Sequence, residues 1–566
     1  MRWQYKQTIL PESKDSAYHP IIEALLQDRG LFDEEERRQF LVPDYDRDTH
    51  DPFLFSQMER VVERFSKAQV RGEKVGIFGD FDADGVTSSV LMREAMLELG
   101  IESEVYIPEK LSEGHGLNTK AVEYFKEKGV HLIVTLDCGM MNHEEIALAN
   151  SLGMEVIVVD HHHVPEVLPE AYAIINPKLP GETYPFRELC GAGTTYKVVQ
   201  ALFLRLKPEG SEQLKWLLDV VATGTVADVM PLIGENRVLV KYGLIVLSKT
   251  RRPGFQAMIE TGRLPFGESV PPTARDIGFQ IAPRINAASR MAHGMLAHEL
   301  LMSKSLDSAK PLSVELEKHN TERRKISTAT ADAVKKLAEE KFLDKKFIFA
   351  AHEDYPYGIV GLIAGRIANE LRKPACIMTK GETESRGSFR SVPEFNVIEA
   401  LEQCSDILVK YGGHAAAAGM TIHNDNLDTF YERFNALAEA KLASVDTDPL
   451  LVLDMPVMLE HLSPALYRDL LKFAPFGEGN PEPVFGLEKV ILDDVRFVGA
   501  GEKHLKLRIK GKNGGKVLDA IAFNLGQKHG DLLVGQEIDI AFTLDENTWN
   551  GNTTLQLKVI DMRVSG

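Results

Sequence analysis

The sequence predicts an α/β protein in which a parallel-sheet domain is joined by a long helix to a smaller α/β domain and followed by a β-barrel. Three observations carry that reading. Apolar strands alternate with amphipathic helices from about residue 74 to residue 160, a polar glycine-free stretch spans residues 308 to 345, and the closing segment alternates strictly between apolar and charged residues.

The elements follow in order. KVGIFGD reads as a buried strand, and VTSSVLMREAMLELG continues it as a helix with Leu91, Met92, Ala95, Met96 and Leu99 at helical spacing and Gly100 as the stop. SEVYIP, a helix near 118 to 128, the strand HLIVTLD, a helix near 142 to 152 and the strand MEVIVVD complete a parallel sheet wrapped on both faces. In the polar stretch, Leu312, Leu316, Ile326, Ala333 and Leu337 form a narrow apolar stripe, which predicts a long helix between two domains. KFIFAAHED opens a second α/β region that runs through YGGHAAAAG. HLKLRIK then places Leu505, Leu507 and Ile509 on one face and Lys506, Arg508 and Lys510 on the other, with Asn513 and Gly514 as a hairpin turn. A second hairpin is expected around Asn550 and Gly551, and together these strands suggest a small barrel of the OB type. The expected boundaries are an N-terminal extension at 1–50, the first α/β domain at 51–307, the connecting helix at 308–345, the second α/β domain at 346–445 and the barrel at 446–566.

With 566 residues the chain is too long for one core. A hydrophobic content of 44% is ordinary for a globular protein, and no apolar stretch reaches the roughly 18 to 20 residues that cross a bilayer. The amino terminus lacks the pattern of a secretory signal, so a cytoplasmic location is expected. Cys138, Cys190, Cys376 and Cys404 are far apart and form no CxxC pair, which argues against structural zinc and against disulfides. A net charge of −18 repels polyanions on average, so any nucleic-acid role requires local basic surfaces or metal ions.

The chemistry concentrates where strands end. GDFDADG places Asp80, Asp82 and Asp84 directly after a strand, VTLDCG ends in Asp137, and VIVVDHHH ends in Asp160, His161 and His162. The carboxyl edge of a parallel sheet is where such folds bind ligands. A lone DxD is commonly a turn and a helix N-cap, and Asp80 is open to that reading, but three strand ends deliver acid and imidazole to one crevice. Carboxylates so crowded raise one another's pKa unless a cation neutralises them. Oxygen ligands with one imidazole suit manganese or magnesium better than zinc. Two such ions about 3.5 to 4 Å apart could activate water and steady both oxygens of a phosphoryl transfer.

GDFDADG, LDCG, DHH and GTVADVMPL, in this order and spacing, resemble the DHH phosphoesterase superfamily, and YGGHAAAAG resembles the glycine-rich signature of its associated second domain. ENR at 235 to 237, PRINAASRM, RGSFRS and PFGEGNPEPVF are similar, more closely, to the bacterial RecJ family of single-stranded-DNA-specific 5′ to 3′ exonucleases, with the likeness running from about residue 50 to the end. The resemblance implies that 51–307 is a DHH catalytic domain, 346–445 a DHH-associated domain and 446–566 an OB-fold nucleic-acid-binding domain. The implied activity is two-metal hydrolysis of single-stranded DNA to 5′-mononucleotides, in DNA repair and recombination. It further implies two divalent cations, Mn²⁺ or Mg²⁺, with Asp82 and Asp137 holding one and Asp84, Asp137, His161 and Asp228 the other. His162 would face the scissile phosphate, and Asp80 and Asp160 would orient the site from behind its ligands.

For the substrate, the resemblance implies phosphate and DNA contacts from Arg386, Ser388, Arg390, Gly412, Gly413 and His414 in the second domain and from Arg284, Asn286 and Arg290 in the first. Lys110 and His115, in IPEKLSEGHG, stand where the family usually has arginine and tyrosine; lysine keeps the charge but not the planar fork. Lys506, Arg508 and Lys510 would form a basic patch for the DNA backbone. By the same likeness a single-stranded-DNA-binding protein and a helicase are expected partners, and the chain is expected to be a monomer. The alternative is a DHH phosphoesterase for short oligonucleotides or cyclic dinucleotides, which the additional barrel disfavours. A catalytically dead scaffold ranks third, since the metal-ligand residues are retained.

Overall fold

The computed structural model describes residues 2–7, 18–110, 112–267, 269–445, 449–512, 514–549 and 551–565. The chain divides into two compact units, residues 49–447 and residues 1–48 with 448–566. Asn513 and Asn550, the expected hairpin residues, lie outside the described residues.

In the larger unit, strands β1 (Lys74–Gly79), β2 (Ser103–Tyr106), β3 (Val130–Leu136), β4 (Glu155–Val159) and β5 (Ala173–Ile175) form a wholly parallel sheet in the order β2-β1-β3-β4-β5. Their apolar runs are buried on both faces, as parallel strands must be when helices cover them. Helix α1 (Ala83–Glu98) leaves the end of β1, and α2 (Gly191–Leu206), α3 (Leu218–Ala227), α4 (Gly234–Ser248) and α5 (Ala282–Met291) follow the sheet. Helix α6 (Leu306–Lys341) is 36 residues long and begins at a capping box of Ser305 and Ser308. Its first half is tied to α5 by Arg284 and Glu317 at 2.6 Å. Its buried stripe differs from the expected one: Ala333 is exposed, and Ala331, Val334 and Ala338 instead enter the core of the second domain beside Ile363 and Ile367. The stripe shifts because a long helix turns its face along its length to meet two different cores.

That second domain is a sheet of β6 (Ile348–His352), β7 (Ala375–Lys380), β8 (Glu384–Arg390), β9 (Leu408–His414) and β10 (Ala417–His423) in the order β9-β10-β8-β7-β6, with only β6 and β7 parallel. Helix α7 (Val360–Leu371) packs on it, and Gly361 and Gly365 give the Arg390 side chain room to pass.

In the smaller unit, β11 (Phe485–Val498), β12 (His504–Lys510), β13 (Val517–Ala522), β14 (Glu537–Trp549) and β15 (Asn552–Val564) pair in the order β11-β12-β13-β15-β14, and β14 closes on β11 to make a five-stranded barrel. Leu505, Leu507 and Ile509 face inward as their alternation requires. The first residues of the chain are not a separate extension. Arg2–Tyr5 pairs in parallel with Leu450–Leu453, and Ile21, Leu25, Leu26 and Phe40 share one core with the barrel. Arg29 donates to Asn480 Oδ1 at 3.1 Å and to the Pro481 carbonyl at 2.9 Å, so PFGEGNPEP serves as the clasp for this docking.

Replacing the fully buried Leu507 by alanine should lower the unfolding free energy of the barrel unit by about 2–5 kcal/mol in urea denaturation. A loss under about 1 kcal/mol would mean that this alternation does not set the barrel core.

Candidate metal centre

The site grows from the carboxyl edge of the first sheet. Asp82 caps α1, its Oδ1 accepting from the amides of Asp84 at 2.9 Å and Gly85 at 3.1 Å, a common device for a strand that turns directly into a helix. This capping turns Asp84 inward, where it is 1% exposed and accepts from the amides of Gly191 at 2.6 Å and Ala192 at 2.9 Å in the first turn of α2. Only glycine fits at two supporting positions. A Cβ at Gly191 would lie 2.6 Å from the Asp137 Cβ, and one at Gly224 would lie 2.7 Å from Asp84 Oδ1. After β3, Asp137 adopts a left-handed backbone with φ 63°, a conformation that costs a non-glycine residue about 1–3 kcal/mol and is kept where geometry demands it.

After β4, Asp160 Oδ1 accepts from the amides of His161 and His162 and from His162 Nδ1 at 2.8 Å, while Oδ2 accepts from the Met140 amide. These bonds hold the His162 ring and the backbone at His161, so Asp160 sits behind both histidines. His161 Nε2 lies 3.1 Å from Asp137 Oδ1, 3.5 Å from Asp228 Oδ2 and 3.7 Å from Asp84 Oδ2. Asp228 comes from the end of α3 rather than from a strand.

Ligand atoms of Asp80, Asp82 and Asp137 lie within 4.8 Å of one another, as do those of Asp84, His161 and Asp228, and those of Asp137, His161 and His162. Asp80 therefore stands among the potential ligands rather than behind them. Burial pushes Asp84 up to about 6 and Asp228 up to about 8, each reinforced by neighbouring carboxylates, and raises Asp82 and Asp137 for the same two reasons. Burial also lowers His161 to about 3, so its ring is neutral and ready to ligate, whereas the hydrogen bond to Asp160 raises His162 to about 9. Asp80 Oδ1, Asp137 Oδ1 and both ring nitrogens of His161 are buried without a hydrogen-bond partner. Orphaned polar atoms cost about 1–3 kcal/mol each, and hard divalent cations satisfy this donor set.

The substrate-side expectations divide. Lys110 Nζ sits 4.8 Å above the Phe81 ring, and His115 packs on the same ring while its Nδ1 lies 3.1 Å from Asp80 Oδ2. Burial and the charge of Arg290 lower Lys110 to about 8, and burial and the charge of Arg323 lower Arg290 to about 10. The charge of Arg390 depresses both, and that of Asp82 opposes the shift. A basic wall from the β2 loop, α5, α6 and β8 thus faces the acidic centre. Arg323 of the long helix was not foreseen, because its stretch reads from sequence as a solvated spacer.

Ser388 and Arg390 project from one face of β8, where Arg390 donates to Ser388 Oγ at 3.1 Å. Register aligns Ser388 with Gly419 and Gly412, and Arg390 with Ala417 and His414, so small residues flank Ser388 on the neighbouring strands. Arg386 is exposed farther along the same face, and Gly412 and Gly413 lie in an edge strand rather than in a tight turn. Two expectations need correction. Arg284 is bound to Glu317 and to the Gln280 carbonyl, and Asn286 Oδ1 accepts from the Ala83 amide at 3.0 Å. Asn286 braces the start of α1 and Arg284 the long helix, so these side chains are engaged within the protein rather than presented to DNA.

In the barrel patch, Arg508 lies 3.9 Å from Asp519 and Lys510 lies 2.8 Å from Asp493, so two of its three cations have a carboxylate on an adjacent strand. Sequence reasoning also missed the Gly191–Ala192 amides; GAGTT at a helix start was the available signal.

A neutral imidazole and paired carboxylate sets at a parallel sheet edge, with a basic wall opposite, define a metal-dependent phosphodiester hydrolase of the DHH type. Family models agree: residues 74–225 match the DHH family N-terminal domain, 344–440 the DHHA1 domain and 453–561 the RecJ OB domain. The chain is 35% identical over 571 residues to the single-stranded-DNA-specific exonuclease RecJ of Bacillus subtilis, covering 100% of this chain and 71% of that one. It is 34% identical to the Salmonella typhimurium RecJ over 90% of both chains. The crystal structure of Thermus thermophilus RecJ with Mn²⁺ superposes with a TM-score of 0.84 at 28% identity, covering 100% of this chain and 80% of that one. The chain belongs to the RecJ family.

The pKa directions predict a pH signature. Without metal, the folded protein keeps a proton on Asp228 up to about pH 8, where unfolded carboxylates near 4 have lost theirs, so stability falls as pH rises from 6.5 to 8; Asp84, raised to about 6, contributes most of its share of the loss below that window. His162 acts in the same sense, because its raised pKa gives stability that is full below about 6.5 and fades toward 9. Melting in EDTA should therefore drop across this window, and the rise in Tm produced by Mn²⁺ should grow with pH. A metal-induced rise that stays constant from pH 6.5 to 8 would contradict the electrostatics.

Proposed function

We propose that the protein is a metal-dependent exonuclease that degrades single-stranded DNA from 5′ to 3′ and releases 5′-mononucleotides in DNA repair and recombination. The convergence of Asp80, Asp82 and Asp137 with Asp84, His161 and Asp228 at one sheet edge carries this reading. Asp82 and Asp137 with Asp80 would hold one divalent ion, and Asp84, Asp137, His161 and Asp228 would hold the other. When bound, Mn²⁺ or Mg²⁺ supplies Lewis acidity and an activated water. The chain's own residues do the rest. His162, held protonated by Asp160, donates toward the scissile phosphate. Lys110, Arg290, Arg390 and Ser388 receive the phosphate backbone, with cations opposite the acidic pocket setting where the strand can lie. The relatives' printed activity supports single-stranded DNA as the polymer. The same proposal includes a cytoplasmic monomer that works with a single-stranded-DNA-binding protein and a helicase. Among the described residues no helix is long and apolar enough to cross a membrane.

The decisive assay offers 5′-labelled and 3′-labelled single strands, with and without a 5′ phosphate, in Mn²⁺ and in Mg²⁺. Early release of mononucleotide from the 5′ label is expected; early release from the 3′ label overturns the polarity. Asp84→Ala and His161→Ala should each cut Mn²⁺-dependent release by more than about 100-fold, since they remove ligands and not merely their supports, while DNA binding persists in gel-shift titrations. Deleting the whole barrel unit, residues 1–48 together with 448–566, should impair hydrolysis of long strands far more than of dinucleotides. Equal loss on both would favour the short-oligonucleotide reading.

A further inference from the structure

The ENR stretch lies in the first turn of α4, away from the ligands, yet both its acidic and its amide side chain are buried. Glu235 is an anchor: it meets Lys197 Nζ and Tyr184 OH at 2.5 Å each and accepts from the His50 amide at 3.0 Å. Asn236 has a different position. Its Nδ2 donates to the carbonyl of Glu188 at 2.5 Å and to that of Pro231 at 3.1 Å. Pro231 is three residues beyond Asp228, and Glu188 is three residues before Gly191, whose amide holds Asp84. One fully buried amide thus fastens the loop carrying one carboxylate to the loop that cradles another.

We infer that Asn236 is a positioning residue that fixes Asp228 relative to the Gly191–Ala192 amides, and so sets the spacing of the Asp84, His161 and Asp228 ion site without touching an ion or the substrate. Two facing carbonyls dictate a donor here. An oxygen turned toward them would be repelled, so the amide orientation follows from its neighbours. Asn236 Oδ1 has no partner, so the residue is held for its NH₂ group and not for a balanced pair of bonds. The Asp80, Asp82 and Asp137 group sits at the ends of β1 and β3, which Asn236 does not touch; the fastening reaches it only through Gly191, which packs against Asp137.

The inference rests on the two-ion reading, and Mn²⁺ titration of the full chain by calorimetry and electron paramagnetic resonance separates the two claims. Asn236→Asp keeps the size and removes both donors; Asn236→Leu removes them without adding charge and serves if the aspartate variant does not fold. The unaltered protein should bind two Mn²⁺. Each variant should weaken one by about 10- to 100-fold, the usual scale for losing a support behind a metal ligand, and the other by a much smaller factor. Nucleotide release should fall at limiting Mn²⁺ and recover in excess Mn²⁺. A lower Tm with both affinities intact would reduce Asn236 to a packing residue and overturn the inference, as would equal weakening of both ions. Failure of the unaltered protein to bind two Mn²⁺ would overturn the two-ion reading and this inference with it.

Discussion

Mutual repulsion among buried carboxylates is the constraint around which the catalytic domain is organised. Asp80, Asp82, Asp84, Asp137 and Asp228 share a space that excludes most water, and each ionised group there raises the cost of the next. The fold answers with amides rather than side-chain cations at the deepest position: Asp84 is held by two main-chain donors at a helix start, where the helix dipole also favours negative charge. Such donors cannot rotate away or lose protons. They keep a carboxylate aimed in the absence of metal, at the cost of glycine at positions 191 and 224 and a left-handed backbone at Asp137.

The same constraint explains why the two histidines of the DHH sequence behave oppositely. His161 is enclosed among carboxylates yet is kept neutral by burial, because a charged imidazole would occupy the place of a cation. His162 is more exposed, and Asp160 stabilises its charged form. Adjacent positions on one loop thus give a neutral imidazole and a charged one, with Asp160 bound to the charged ring.

Much of this was legible because a parallel sheet sends all its strand ends to one edge, so Asp80 to Asp84, Asp137 and Asp160 to His162 could be gathered from periodicity alone. Asp228 could not, since it ends a helix, and helix ends have no such common address; only the family likeness supplied it. The barrel patch was less legible for a related reason. Alternation along β12 shows which side chains face outward, but whether Arg508 and Lys510 are free depends on Asp519 and Asp493 across neighbouring strands. The docking of residues 1–48 onto the barrel was hidden by the length of chain between them, and the roles of Arg284 and Asn286 by partners on α6 and α1.

Charge then poses the remaining question, since a chain of net charge −18 acts on a polyanion. With two of the three barrel-patch cations beside carboxylates, the attraction has to be local. Two divalent ions would nearly cancel the five clustered carboxylates, and against that near-neutral floor the wall of Lys110, Arg290, Arg323 and Arg390 becomes a net positive surface. Without ions the same wall spends its field on Asp82 and its neighbours. The depressed pKa of Lys110 and Arg290 shows that these cations are crowded and poorly hydrated, a state relieved by a phosphate arriving between them. Metal held in this architecture would therefore do more than supply an activated water: its charge would turn an acidic crevice into one that a phosphodiester can enter.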